Sequence, residues 1–110
     1  MDNENIFYVA LDTGANIIAF EGLATSISGY SASEVIGKNW FALFIPDSNL
    51  QEMLSVFTGF LDGNLSFWEY DNEITCKDGT HKLIRWKNSL RRGADGTPLS
   101  IHSEGTLLQQ

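Results

Sequence analysis

SGYSASEVIGKNWFALFIP, residues 28–46, contains the signals for two short helices in succession. Ser31 and Glu34 have the spacing of a capping box, and Gly37 supplies a left-handed stop soon after it. Asn39 is a residue type that commonly caps a helix, and the proline that closes the stretch disfavours helical geometry in the residue before it. The stretch therefore predicts two small helices, the first barely two turns long.

The segments on either side of this stretch predict a hairpin before it and a longer helix after it. Residues 6–11 and 17–20 are short β-prone runs separated by turn-forming residues. Ser48 and Gln51 again have capping-box spacing, and Asp62-Gly63-Asn64 ends the helix that they begin. The apolar residues of this helix recur at helical spacing: Leu50, Met53, Leu54, Phe57 and Leu61.

From residue 66 the hydrophobic period changes to two, which predicts strands with one apolar and one polar face. In residues 67–76 the apolar face carries Trp68, Tyr70, Asn72, Ile74 and Cys76. In the next strand the corresponding face carries Ile84, Trp86, Asn88 and Leu90. Asp95-Gly96 is a further turn signal, and a final strand includes Leu99, Ile101, Ser103, Gly105 and Leu107.

The parity of the side chains predicts the turn between the first two of these strands. A two-residue turn would place acidic residues opposite the apolar face of the next strand, whereas a three-residue loop over 77–79 shifts the register by one place. Tyr70 then lies opposite Trp86. On the polar face, acids lie opposite bases, for example Glu69 opposite Lys87, and each such pair contributes about 0.2 to 1 kcal/mol.

Composition limits the class of protein. The chain has 110 residues, 43% of them hydrophobic, and a single cysteine, so we expect one domain over residues 1–110 in a reducing, cytoplasmic setting. The net charge of −7 argues against nucleic-acid binding. Six of the seven basic residues lie between Lys77 and Arg92, which predicts either a solvated sheet face balanced by acids or a basic docking patch. No apolar run approaches the roughly 18 residues that span a bilayer, so we expect no direct membrane insertion.

In this order the segments resemble the PAS family of sensor domains. The similarity is strongest over residues 28–46, and it extends to KDGT from Lys77, to the strand from Arg85 to Leu90, and to DGTPL from Asp95. The resemblance implies an α+β fold with a five-stranded antiparallel sheet of strand order 2-1-5-4-3 and several short helices covering one face. It also implies a sensor domain of a larger signalling protein, such as a histidine kinase or a diguanylate cyclase, that forms homodimers and acts on a neighbouring output domain.

The sequence departs from the family pattern at two places. Glu21 stands where many members have asparagine before the first helix, and the terminal pattern Gly-Thr-Asp-Ile-Thr is replaced by Gly-Thr-Leu-Leu-Gln, residues 105–109. In the family that aspartate ties the last strand to the outgoing helix. The route by which this domain transmits a signal is therefore left open.

A sheet cupped around apolar side chains suits a small, partly polar ligand. The candidate pocket residues are Trp40, Phe44, Met53, Phe57, Tyr70, Asn72, Trp86, Asn88 and Ile101. Asn72 and Asn88 are the polar members, and each buried amide requires a partner in a ligand, a water or the protein itself. Trp68, Tyr70 and Trp86 would either stack on an aromatic ring or form part of the core.

The resemblance also bears on cofactors. Family members that bind haem use a histidine of the long helix, and residues 48–61 contain none, so we expect no haem. Members that form a flavin adduct use a cysteine in the helical segment, whereas Cys76 lies at a strand end. A non-covalent flavin or a small organic ligand is left open. We predict no metal site, and we expect His81 and His102 at the surface.

The sequence bears on three classes of function. An enzyme of the ketosteroid isomerase type is disfavoured because such folds open with helices, and because the acids of this chain lie on polar faces or in turns. No catalytic residues are therefore predicted. A ligand-binding sensor and a ligand-free interaction module both fit the sequence.

Overall fold

The chain forms one five-stranded antiparallel sheet with short helices over one face, in a computed structural model that describes residues 5–64, 66 and 68–109. The strands are β1 (Phe7–Asp12), β2 (Ile17–Gly22), β3 (Glu69–Thr75), β4 (His81–Arg92) and β5 (Pro98–Gln109). The helices are α1 (Ala24–Ser28), α2 (Ala32–Val35), α3 (Trp40–Phe44) and α4 (Leu50–Leu61), with one turn of 3-10 helix, Asp47–Asn49, before α4. The order of the strands is β2-β1-β5-β4-β3, which confirms the predicted fold class and topology.

The predicted register of β3 and β4 is confirmed. Tyr70 pairs with Trp86 and Glu69 with Lys87, around the loop 77–79. Gly79 adopts a φ of 88°, a left-handed conformation that L-residues with a side chain rarely take. The apolar side chains of both strands therefore face the helices.

Acidic residues balance part of the basic stretch on the outer face of the sheet. Arg85 donates from Nε and Nη2 to the two carboxylate oxygens of Asp71 at 3.0 and 3.1 Å, and this pair lowers the pKa of Asp71. Away from this face, Lys77 is paired with Glu34 of α2, and Lys82 donates to the Ile27 carbonyl of α1 at 3.0 Å. The pair of Arg85 and Asp71 agrees with the interpretation of a solvated face balanced by acids, and the contacts of Lys77 and Lys82 connect the basic stretch to the helices.

The caps of α2 and α3 lie where they were predicted, but the cap of α4 does not. The Asn39 side chain accepts a hydrogen bond from the Ala42 N–H at 3.0 Å, and the Glu34 carboxylate accepts one from the Ser31 N–H at 2.8 Å. The predicted capping box at Ser48 is wrong, because Ser48 lies inside the 3-10 turn and Asn49 precedes α4.

The buried side of α4 is rotated from the predicted one. Leu54, expected on the apolar face, is 36% exposed, whereas Phe60 is buried together with Met53. Val56 and Phe57 are half-buried. The stripe that faces the sheet therefore follows positions 53, 56, 57 and 60, which also have helical spacing.

Trp68 was predicted on the apolar face of β3, and this prediction is wrong. It precedes the strand and is 51% exposed. Its predicted neighbour Phe67 lies outside the described residues. Without Trp68, the aromatic residues on the inner face of β3 and β4 are Tyr70 and Trp86.

The core lies between the inner face of the sheet and α1 to α4. Phe7, Trp40 and Trp86 meet there edge to face, with ring centroids 5.2 to 6.3 Å apart. Gly105 of β5 lies beside this cluster. Among the described residues, no helix has the length and apolar character needed to cross a membrane.

Candidate ligand-binding cavity

A cavity of about 70 Å³ lies between α4 and the inner face of the sheet, with α3 at one side. Its described lining is Val9, Trp40, Phe41, Met53, Val56, Phe57, Phe60, Tyr70, Asn72, Trp86, Asn88, Ile101 and Ser103. The half-buried lining residues Val56, Phe57, Tyr70 and Asn88 form its mouth, and the buried part of the lining, which we call the inner end, includes Asn72 and Trp86. The cavity is thus mainly apolar, with a polar strip that crosses β3, β4 and β5 and consists of Asn72, Asn88 and Ser103.

The structure brings together all but one of the residues predicted for the pocket. Those that line the cavity are Trp40, Met53, Phe57, Tyr70, Asn72, Trp86, Asn88 and Ile101. Phe44 is the exception, because its fully buried ring packs against Phe20, Tyr30 and Trp40 in the core. Phe44 therefore supports the wall from behind and does not face the cavity.

Five lining residues were missed by the sequence analysis. They are Val9, Phe41, Val56, Phe60 and Ser103. For Val56 and Phe60 the signal was present, since both fall on the helical stripe that includes Met53. For Ser103 the signal was its parity with Ile101 in the last strand, since alternate residues of a strand lie on the same face.

Two side-chain hydrogen bonds organise the polar strip. The Trp86 indole Nε1–H donates to Asn72 Oδ1 at 2.6 Å, and the Ser103 hydroxyl donates to Asn88 Oδ1 at 2.7 Å. Both bonds join residues on different strands. The side-chain oxygens of Asn72 and Asn88 therefore both have a hydrogen-bond donor within the protein.

A hydrogen bond links α4 to β3 at the mouth. The Tyr70 hydroxyl donates to the Glu52 carboxylate, and this bond, followed by burial, raises the pKa of Tyr70. Phe41 and Phe57 meet edge to face nearby, with ring centroids 5.3 Å apart. The first contact joins α4 to the sheet, and the second joins α4 to α3.

The volume of the cavity limits what it holds in this conformation. One buried water needs at least about 10 to 15 Å³ and takes up about 30 Å³ in the liquid, so about 70 Å³ is room for a few waters. A three-ring flavin is far larger than this. A ligand of flavin size would require α4 to move away from the sheet.

Cys76 and the two histidines lie away from the cavity lining. Cys76 is buried, and its thiol donates to the Ile27 carbonyl at 3.4 Å. His81 is exposed beside Glu73. His102, expected at the surface, is half-buried on the outer face of the sheet, where its Nδ1 contacts the Tyr8 hydroxyl and its Nε2 contacts Ser100 Oγ at 2.9 Å. Within the described residues, no group of three or more His, Cys, Asp or Glu side chains is placed to hold a metal ion.

Comparison with known proteins agrees with this geometry. The family model of the PAS fold matches residues 17–103, and the chain therefore belongs to the PAS family of sensory domains. A search of curated proteins gave no match.

Solved structures of PAS domains superpose over almost the whole chain. The PAS domain of the Cronobacter turicensis RpfR quorum-sensing receptor in complex with BDSF is 26% identical, with a TM-score of 0.75, and the match covers 96% of this chain and 95% of that one. The same receptor domain in complex with C12:0 gives a TM-score of 0.76 at 26% identity and the same coverage. A PAS domain from Colwellia psychrerythraea is 16% identical with a TM-score of 0.80, over 94% of this chain and 86% of that one, and shows likeness of fold alone.

Proposed function

We propose that this PAS domain senses a small, mainly apolar molecule that binds in the cavity between α4 and the sheet. The observation that carries this proposal is a cavity of aromatic and aliphatic side chains with a mouth of half-buried residues and a polar inner end. Specific ligand sites have this composition, in which apolar walls supply affinity and a few polar groups orient the ligand. The domain itself is proposed to be non-catalytic.

The similarity to ligand-bound PAS domains supports this proposal. The receptor domain that is 26% identical binds BDSF and C12:0, the latter a saturated chain of twelve carbons. A chain of that length exceeds a cavity of about 70 Å³, so its binding here would require α4 to move outward. Such a movement breaks the link between Glu52 and Tyr70, and it thereby connects ligand binding to a change of shape.

The proposed parent is a larger signalling protein of the cytoplasm, such as a sensor histidine kinase or a diguanylate cyclase. The domain is proposed to form a homodimer through its end segments and to act on a neighbouring output domain. Sedimentation of the purified domain over a range of concentrations tests the dimer, and a single monomeric species throughout that range would contradict it.

A ligand-free interaction module is the second candidate. The observation that favours it is the small volume of the cavity, beside which the rings of Phe7, Trp40 and Trp86 pack against one another under the helices. In that case the helices and the sheet would serve as docking surfaces, and the interior would never hold a second molecule.

Native mass spectrometry with an absorbance scan of freshly purified protein separates the two candidates. A bound small molecule that is absent from the Val56→Phe variant supports the sensor, because the added ring fills the mouth. Leu54→Phe is the matched control, since Leu54 lies on the exposed side of the same helix and should leave the ligand in place. An apo mass in several buffers, together with no binding in a screen of short apolar compounds, would favour the interaction module.

A further inference from the structure

A hydrogen bond at the polar end of the cavity fixes the orientation of the Asn72 amide. An indole N–H only donates, so the bond from Trp86 Nε1 requires the Asn72 amide to turn Oδ1 toward Trp86. This assignment does not depend on the choice between the two amide orientations, because the flipped amide would bring two donors together. Asn72 therefore has its Nδ2 group left for other partners.

The Nδ2 group of Asn72 has capacity for a ligand. Within the described residues it makes one hydrogen bond, to the Glu73 carbonyl at 3.3 Å, and an amide nitrogen carries two hydrogens. Asn72 is 7% exposed and lines the cavity, so a molecule that reaches its inner end meets this second donor away from bulk water. The complementary ligand group is an acceptor.

The described lining of the cavity offers no counter-ion for an anionic ligand, since none of these residues is a lysine, arginine or histidine. A charge tied to the lining is negative, because the Glu52 carboxylate accepts the hydrogen bond of Tyr70 at the mouth. A carboxylate carried to the inner end would lose its hydration without gaining a cation, which is strongly unfavourable.

We infer that the cavity selects an uncharged molecule with an apolar body and a hydrogen-bond acceptor, such as an amide or ester carbonyl, bound at Asn72. This inference rests on the proposed function and specifies the ligand class of the same site. A fatty acid would bind here in its neutral, protonated form.

Three probes of equal heavy-atom count test the inference on the unaltered domain: hexanamide, methyl pentanoate and hexanoate. Binding is followed by the NMR signals of the Asn72 side-chain amide and the Trp86 indole during titration. At about pH 7.5 we expect both neutral probes to bind about tenfold or more tightly than hexanoate. Lowering the pH by about one unit should strengthen hexanoate binding about tenfold and leave hexanamide unchanged, because only the acid gains neutral molecules.

A variant with an added cation provides the reverse test. Val56→Lys places an ammonium group at the mouth, and it should raise the affinity for hexanoate relative to hexanamide by about tenfold. Val56→Met is the uncharged control of similar length and should leave the ratio as it is.

The outcomes distinguish the inference from the proposed function. If hexanoate binds at about pH 7.5 as tightly as hexanamide and shifts the signals of Asn72 and Trp86, the inference about the ligand class is wrong. The proposed function as a ligand-binding sensor would then still stand. The absence of any shift with all three probes, at concentrations up to their solubility, would overturn both.

Discussion

The absence of a side chain at Gly105 lets the Trp86 indole lie against the backbone of β5. A Cβ atom at this position would lie 2.6 Å from Trp86 Cζ3 and 2.8 Å from Ile84 Cγ2, closer than real contacts allow. Both neighbours are buried in the core, so neither moves freely. The indole that bonds Asn72 and borders the cavity therefore depends on this glycine.

Gly105→Ala is expected to destabilise the domain by about 1 to 3 kcal/mol, because an added methyl group overpacks a closely filled core. Urea denaturation followed by fluorescence measures the change. Gly93→Ala is the control, since a Cβ atom there would have no contact shorter than 3.4 Å. Equal stability of the two variants would show that Trp86 shifts without cost.

Phe44 illustrates what residue spacing leaves undetermined. Trp40 and Phe44 are one helical turn apart on the same side of α3, and both were predicted to line the pocket. In the structure the Phe44 ring stacks on Phe20 at a centroid distance of 5.9 Å, while Trp40 reaches the cavity. The packing of α3 against β2 separates the two, and no pattern within α3 contains that information.

At the scale of elements, α4 is a wall of the cavity that contacts its neighbours through side chains. Met53 and Phe60 are buried, Phe57 contacts Phe41, and Tyr70 bonds Glu52. The opposite wall is a sheet whose strands share continuous backbone ladders. A ligand that enlarges the cavity is therefore expected to displace the helix and leave the sheet unchanged.

Tyr70→Phe removes the bond between α4 and β3 and keeps the ring. We expect faster hydrogen exchange in the amides of α4, with a loss of about 0.5 to 1.5 kcal/mol in the free energy of unfolding. Exchange measured by NMR checks this result. Ser55→Ala, on the exposed side of α4, should leave the rates unaltered. Unchanged exchange in Tyr70→Phe would mean that packing alone holds the helix.

The strands could be predicted more completely than the helices, for a physical reason. In β3 and β4 the period of two and the turn glycine are compatible with one register, in which the acidic residues of β3 pair with the polar face of β4. That register is observed. In α4 two stripes of apolar residues share Met53 and Phe57, so the periodicity fits two rotations. The size of the cavity could not be predicted, because it depends on the rotamers of Trp40, Phe60 and Trp86.

At the scale of the molecule, the domain carries a net charge of −7, and its outer sheet face combines acids and bases. His102 lies in the middle of that face, with both ring nitrogens engaged by Tyr8 and Ser100. Burial, followed by the charge of Arg91, lowers the pKa of His102. The folded state therefore favours the neutral ring.

This shift predicts how stability depends on pH. The unfolded chain binds a proton at His102 more readily than the folded chain does. The contribution of His102 to the free energy of unfolding is therefore present above the unfolded pKa of about 6.5 and is lost as the pH falls. Urea midpoints at about pH 7.5, 6.5 and 5.5 should decline less in His102→Gln than in the unaltered domain. His81→Gln, at an exposed histidine, is the control. Parallel declines in all three proteins would assign the effect to other groups.

The position of β5 has a consequence for how the protein is made. β5 pairs with β1 on one side and β4 on the other, so the two hairpins are joined into one sheet only by the last strand in the sequence. During translation neither hairpin finds its permanent neighbour until β5 has left the ribosome. The unpaired edge of β1 therefore stays exposed from its own synthesis until β5 follows about 85 residues later, and this is the interval when a chaperone has most to protect.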